Sequence, residues 1–220
     1  MFTRLLSPPK SSFFLFGPRG TGKSTWIRRH FPDALVYDLL DTSESLRLAR
    51  EPHALFREAS TAPAGSWVVI DEIQKVPALL DEVHSLIETK GLRFVLSGSS
   101  ARKLRRGASN LLAGRAVVEH LFPLVSAEAG WDALGDEPLA NGTMPLALTS
   151  ADPIAFLSAY AQTYLQEEIR AEALTRNVGD FSRFLEIAAR QNGQVTNVAG
   201  LARDAGVSRP TVQNYFGILE

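Results

Sequence analysis

The sequence predicts an α/β fold: a five-stranded parallel sheet with helices on both faces, followed by a smaller all-helical domain. Three observations predict it. Short apolar runs recur near residues 13, 35, 67, 93 and 116 with helical patterns between them, the alternation of a parallel sheet. The first and third runs end in a glycine loop and in an acidic pair, at what would be the carboxyl edge of the sheet, where open α/β sheets bind ligands. Beyond residue 152 the strand signal stops, and apolar residues recur only at helical spacing.

The first run, Phe13 to Phe16, leads into Gly17-Pro18-Arg19-Gly20-Thr21-Gly22-Lys23-Ser24-Thr25, which fits the spacing GxxxxGK[ST]. Gly17, Gly20 and Gly22 allow backbone angles and a closeness to phosphate that a Cβ would block. Lys23 would set an ammonium between β- and γ-phosphates, Ser24 would give its hydroxyl to Mg²⁺, and the helix starting near Lys23 adds the positive end of its dipole. A glycine turn that only joins a strand to a helix has the same composition, but the buried strand directly before the loop favours a nucleotide site.

Trp26, Ile27 and Phe31 suit the buried side of a helix ending near Pro32. Ala34 to Leu39 reads as the second strand, with Asp38 or Asp41 either facing the nucleotide or closing an ordinary strand end. Ser43 to Glu58 is helical in composition and broken at Pro52. Trp67-Val68-Val69-Ile70 suits a central strand covered on both faces, and Asp71-Glu72 falls where it emerges. Asp71 would join the Mg²⁺ shell, and Glu72 would polarise a water for attack on the γ-phosphate.

Leu79, Leu80, Val83, Leu86 and Ile87 mark a core-facing helix. Arg93 to Ser97 is the fourth strand. It ends in Ser97-Gly98-Ser99-Ser100, whose hydroxyls either bond the attacking water or γ-phosphate or simply form a turn. Ala101 to Arg106 is the densest positive cluster, and Ala116 to Phe122 is the fifth strand.

The 220-residue chain, 45% apolar, is long enough for one domain and a smaller second one. Residues 1–125 would form the nucleotide domain, 126–152 a connecting region rich in Gly, Pro and Asp, and 153–220 the helical domain. The net charge of −1 gives no global case for nucleic-acid binding, and the lack of cysteine excludes disulfides, thiolate metal sites and cysteine nucleophiles. Two prolines interrupt MFTRLLSPPK where a signal peptide needs an apolar core, and no run approaches membrane-spanning length, so a cytoplasmic protein without membrane contact is expected. In the helical part, Phe156, Leu157, Tyr160, Tyr164, Leu165 and Ile169 line one helix, and Phe181, Phe184, Leu185, Ile187 and Ala188 another. Residues 197–216 then read as a helix-turn-helix, with Ala202 at a close crossing, Gly206 in the turn, Ser208 as cap and Pro210 in the next first turn.

Together GPRGTGKST, VVIDEIQKVP, FVLSGSS and LLAGR resemble the AAA+-like ATPases that join an N-terminal P-loop domain to a C-terminal domain with a winged helix, the AAA_14 / DUF4143 proteins. The resemblance covers nearly the whole chain, including Tyr164-Leu165-Gln166-Glu167-Glu168-Ile169. It implies Gly22, Lys23, Ser24 and Thr25 for ATP and Mg²⁺, Asp71 for the metal, Glu72 for the water and Ser97 as γ-phosphate sensor. It also implies that Arg115 is an arginine finger acting in trans on a neighbouring subunit of a homo-oligomer. Such proteins usually continue well past the recognition helix, in which this sequence stops at Glu220, and whether it is a piece of a longer chain stays open. The function expected is an ATP-hydrolysing switch of low intrinsic turnover coupled to movement of the helical domain, with residues 197–216 meeting DNA or a protein. A P-loop kinase, which would need a lid insertion that is not apparent, and a nucleotide-gated DNA-binding module are the alternatives.

Overall fold

The apolar runs fold as β1 (Phe13–Phe16), β2 (Leu35–Asp38), β3 (Trp67–Asp71), β4 (Arg93–Gly98) and β5 (Val117–His120), all parallel. The structure is a computed structural model and describes residues 2–99, 104, 112, 114–130, 140–164 and 178–219. The strands lie in the order β2-β3-β4-β1-β5, so β4 separates the strand that carries the glycine loop from the strand that ends in Asp71. The expected boundaries of each strand agree with this arrangement to within about two residues, the usual uncertainty of strand ends.

Alternation along the strands sorts side chains onto two faces, because successive Cβ atoms point to opposite sides of a sheet. Phe13 and Leu15 of β1, Val69 of β3 and Val95 of β4 meet Trp26, Ile27 and Phe31 on one face. Phe16, Val68, Ile70, Phe94 and Leu96 meet the other helices on the opposite face. The helix α1 (Lys23–His30) covers the first face. The second is covered by α2 (Thr42–Arg50), α3 (His53–Ala59) and α4 (Leu79–Lys90), through Leu48, Leu55, Leu79, Val83 and Leu86. The break at Pro52 is real: α2 ends at Arg50 and α3 begins at His53. Asp38 accepts from the Leu40 N–H and Asp41 caps α2 by accepting from the Ser43 N–H at 2.8 Å, so both close local turns.

The chain separates into two compact units, residues 1–153 and 154–220. The Gly- and Pro-containing stretch after β5, expected as a connection, includes α5 (Ser126–Ala129) and α6 (Pro145–Thr149) and belongs to the first unit. Ala147 is fully buried there, and the Leu124 N–H bonds the Thr143 carbonyl at 2.8 Å. The second unit contains α7 (Pro153–Ala159), a π-helical turn (Tyr160–Tyr164), α8 (Val178–Arg190), α9 (Val198–Ala205) and α10 (Arg209–Leu219). Phe181, Phe184, Leu201, Ala202, Ala205, Val212 and Tyr215 form its core, with Tyr215 edge-on to Phe181 at 4.9 Å between ring centres. Asn197 caps α9, Gly206 takes the left-handed conformation at φ 68°, and the Ser208 hydroxyl accepts from the Thr211 N–H.

Arg102, Lys103, Arg105 and Arg106, Ser100, and residues 165–169 of the expected helix lie outside the described residues. No described helix is long and apolar enough to cross a membrane.

Candidate functional site

The loop after β1 departs from extended geometry where glycine is required. Gly22, the residue before α1, sits at φ 89°, a left-handed backbone that side-chain residues resist, and its carbonyl accepts the Trp26 N–H at 2.9 Å to open the helix. Gly17 is required by contact: a Cβ there would lie 2.1 Å from the Leu121 carbonyl oxygen just beyond β5. No side chain caps α1, so its first backbone N–H groups face the loop opening. Inside the curl, the Thr21 hydroxyl donates to the Pro18 carbonyl at 2.9 Å. The Lys23 ammonium donates to the Gly17 and Pro18 carbonyls at 2.6 and 3.0 Å. A cation is thus held inside the loop on two backbone carbonyls.

Two strands away, Asp71 ends β3 with both carboxylate oxygens engaged. Oδ2 accepts from the Ser24 hydroxyl at 2.8 Å, and Oδ1 accepts from the Ser97 hydroxyl. Lys23, Asp71 and Glu72 are only 6%, 8% and 6% exposed, and Ser97 is fully buried. Ser97, expected at the γ-phosphate, donates to Asp71 here, because the β3/β4 register that pairs Ile70 with Leu96 brings the next residues, 71 and 97, side by side.

Glu72 is the one described non-glycine residue with positive φ, at φ 60° and ψ 45°, a conformation that costs about 1–3 kcal/mol outside glycine. The reversal stops β3 and starts a short 3-10 turn (Ile73–Lys75), which leaves the Glu72 side chain at the strand tips instead of alternating onto a face of the sheet. Its Oε2 accepts from the Gln74 side-chain amide, which also donates to the Ser99 hydroxyl at 3.2 Å.

These parts open onto a cavity of about 510 Å³, lined by Arg19 to Trp26, Arg29, Leu40 and Glu72 together with Phe2, Arg4, Pro145, Leu146 and Thr149. The last five lie in segments whose sequence gives no sign of a site. Arg4 donates to the Thr21 carbonyl at 2.6 Å and to the Phe122 carbonyl, and pairs with Glu128 at 3.1 Å, tying the N-terminal segment to the loop and to α5. The Trp26 indole N–H donates to the Leu6 carbonyl. Burial works against the Glu128 carboxylate, yet the Leu5 N–H and the Arg4 guanidinium outweigh it and hold the group below the usual carboxylate range.

Arg115 is not brought to this site. It precedes β5, whose Val117 lies level with Phe13 at the start of β1, so it stands at the opposite edge of the sheet from the loop, where it donates to Glu88 of α4.

Among the described residues no group of three or more His, Asp or Glu side chains forms a metal cage. The donor set present, one hydroxyl and one carboxylate 2.8 Å apart beside a phosphate-sized loop, suits Mg²⁺, which takes one or two protein ligands and completes its shell with water and phosphate oxygens.

A parallel sheet in this order, with a glycine-lysine loop on β1 and an acidic pair on β3 across the intervening strand, defines a nucleotide-binding P-loop domain of the AAA+ type. The chain belongs to the AAA_14 family, described as an AAA domain, which it matches over residues 9–129. Residues 135–220 match a domain of unknown function, DUF8612, in the region where the resemblance named DUF4143. No curated protein matches the chain. Among solved structures, it is similar to the Aeropyrum pernix ORC1 protein in complex with DNA, at 14% identity and a TM-score of 0.42, covering 96% of this chain and 76% of that one. It is also similar to the Aeropyrum pernix ORC2 protein in its ADP form, at 14% identity and a TM-score of 0.47, covering 95% and 79%.

Proposed function

We propose that the protein hydrolyses Mg·ATP and uses turnover as a switch that moves its helical unit. The observation that carries this reading is the convergence on one cavity of Lys23, Ser24 and Glu72, with Asp71 held just behind on the Ser24 hydroxyl, where the loop after β1 meets the end of β3 across β4.

Each residue has a part. The loop amides from Gly17 to Thr25 hold the phosphates, and Lys23 neutralises charge at the β- and γ-oxygens. Ser24 and Asp71, already fixed on one another, hold Mg²⁺, and Ser97 keeps the Asp71 carboxylate turned toward Ser24. The metal, when bound, supplies further neutralisation of phosphate charge. Glu72 takes a proton from a water whose oxygen bonds the γ-phosphorus as the bond to the β-γ bridging oxygen breaks, releasing ADP and phosphate. Phe2, Pro145 and Leu146 give the cavity apolar lining suited to the base.

The acidic Glu72 beside the phosphate loop favours hydrolysis over mere nucleotide gating. Arg115 remains a candidate finger only in trans, from a second copy. For the helical unit, the exposed face of α10 carries Arg209, Gln213 and Asn214 opposite the buried Val212 and Tyr215, a surface suited to recognition of a macromolecule. The test is phosphate release from ATP by purified protein with and without Mg²⁺. Mg²⁺-dependent release that disappears in Lys23→Ala supports the proposal, and no release under any condition refutes it.

A further inference from the structure

We propose that Gln74 is a positioning residue for hydrolysis. Its side-chain amide fixes one oxygen of the Glu72 carboxylate and ties it to the tip of β4 through Ser99, so that the other Glu72 oxygen is the one offered to the attacking water. This rests on the reading of Glu72 as the base.

The contact follows from the local backbone. Residues two apart along a strand or helix do not normally meet through their side-chain ends, but the left-handed Glu72 reverses the chain and the 3-10 turn folds Gln74 back over the strand tips. The turn is held on both sides of Gln74. Ile73 is fully buried, the Lys75 N–H bonds the Glu72 carbonyl at 2.9 Å, and the Lys75 ammonium donates to the Leu39 carbonyl at 2.9 Å. Amide orientation is set by chemistry: only the NH₂ end donates, and both of its partners, the Glu72 carboxylate and the Ser99 hydroxyl, accept.

A glutamine retained for packing would be a poor choice here. Its Oε1 is buried without a hydrogen-bond partner among the described residues, and it lies over Gly98, where a Cβ would come within 2.4 Å. An orphaned buried acceptor is a cost that an apolar side chain of the same shape avoids. The amide is therefore present for its other end. Two strand tips that flank the phosphate loop strand on one side are joined through it, so a displacement at Ser99 reaches the Glu72 carboxylate directly.

The test replaces Gln74 with methionine, which keeps length and volume but donates nothing. Gln74→Met is expected to lower kcat for ATP about 10-fold to 100-fold through loss of base alignment, while KM and nucleotide affinity change less than about twofold and thermal stability is unchanged or higher. Added to Glu72→Gln, it should cost nothing further, since the group it positions is already disabled. Ser99→Ala should give a smaller fall in kcat with the same unchanged KM. Wild-type turnover in both Gln74→Met and Ser99→Ala would overturn the proposal, as would a full further loss in the Glu72→Gln background. A readout free of turnover is the Gln74 side-chain NH₂ resonance pair, identified by its absence in Gln74→Met. It should move in Glu72→Ala, and an unmoved pair overturns the contact. Absence of hydrolysis in the unaltered protein overturns the reading of Glu72 and the role of Gln74 in it, while the resonance pair still reports the contact, so the two failures are distinguishable.

Discussion

Replacing Arg4 with alanine should destabilise the first unit far more than an N-terminal substitution normally does. The Arg4 side chain is 9% exposed and its partner Glu128 6%, with 3.1 Å between them. Its removal leaves Glu128 charged and buried with only the Leu5 and Val125 N–H groups, at 2.7 and 3.3 Å, and strips the Thr21 and Phe122 carbonyls of a cationic donor. Breaking one side of a buried pair costs about 3–5 kcal/mol. With a urea slope of about 2 kcal/mol per molar, the unfolding midpoint should fall by roughly 1.5–2.5 M. Intrinsic fluorescence reports it, since Trp26 and Trp67 both lie in this unit. Because the folded Glu128 titrates below its ordinary value of 4.5, its contribution is complete above that pH and is lost as pH falls through the lower folded value. The midpoint of the unaltered protein should therefore decline below about pH 4.5, and Arg4→Ala should decline less steeply. The pair Arg4→Met with Glu128→Met should recover most of the loss, as apolar replacements of buried pairs do. An Arg4→Ala midpoint within about 0.3 M of the original, a change of roughly half a kcal/mol, would show that the Arg4–Glu128 pair does not hold the unit together.

Other expectations concern more distant parts. If Arg115 acts in trans, specific ATPase activity should rise with protein concentration, and Arg115→Ala should lower it by about 10³-fold; flat activity on dilution with an active Arg115→Ala would leave Arg115 as the ion-pair partner of Glu88. If α10 reads DNA, fluorescence anisotropy with duplex DNA should show affinity falling steeply with salt and weakening in Arg209→Ala. No binding at about 50 mM salt, with or without ATP, would instead favour a protein partner for this helix.

The sheet was legible because parallel strands buried on both faces need unbroken apolar runs, and Phe13 to Phe16, Trp67 to Ile70 and Phe94 to Leu96 supply them between glycines and polar residues. The phosphate loop was legible for a related reason: its glycines and lysine carry their function at fixed spacing along the chain. What depended on register was not. Ser97 and Ser99 look interchangeable in Ser97-Gly98-Ser99, and only the pairing of β3 with β4 decides that Ser97 meets Asp71 and Ser99 meets Gln74. Contacts across long separations left no local pattern either. A single arginine at position 4 cannot announce that it will bond Thr21, Phe122 and Glu128, and the Pro- and Gly-bearing stretch around Leu146 reads as a connection although it walls the cavity. The left-handed turn at Glu72, which brings Gln74 onto the carboxylate, has no glycine or asparagine to signal it.

In the proposed mechanism Glu72 activates water at a site that Lys23, Ser24 and Asp71 prepare for Mg·ATP. Glu72→Gln is its most direct test, measured as ATP affinity and phosphate release on the same preparation. Unaltered affinity with turnover reduced about 10²-fold or more is the predicted result. Turnover equal to that of the unaltered protein would remove Glu72 from the reaction.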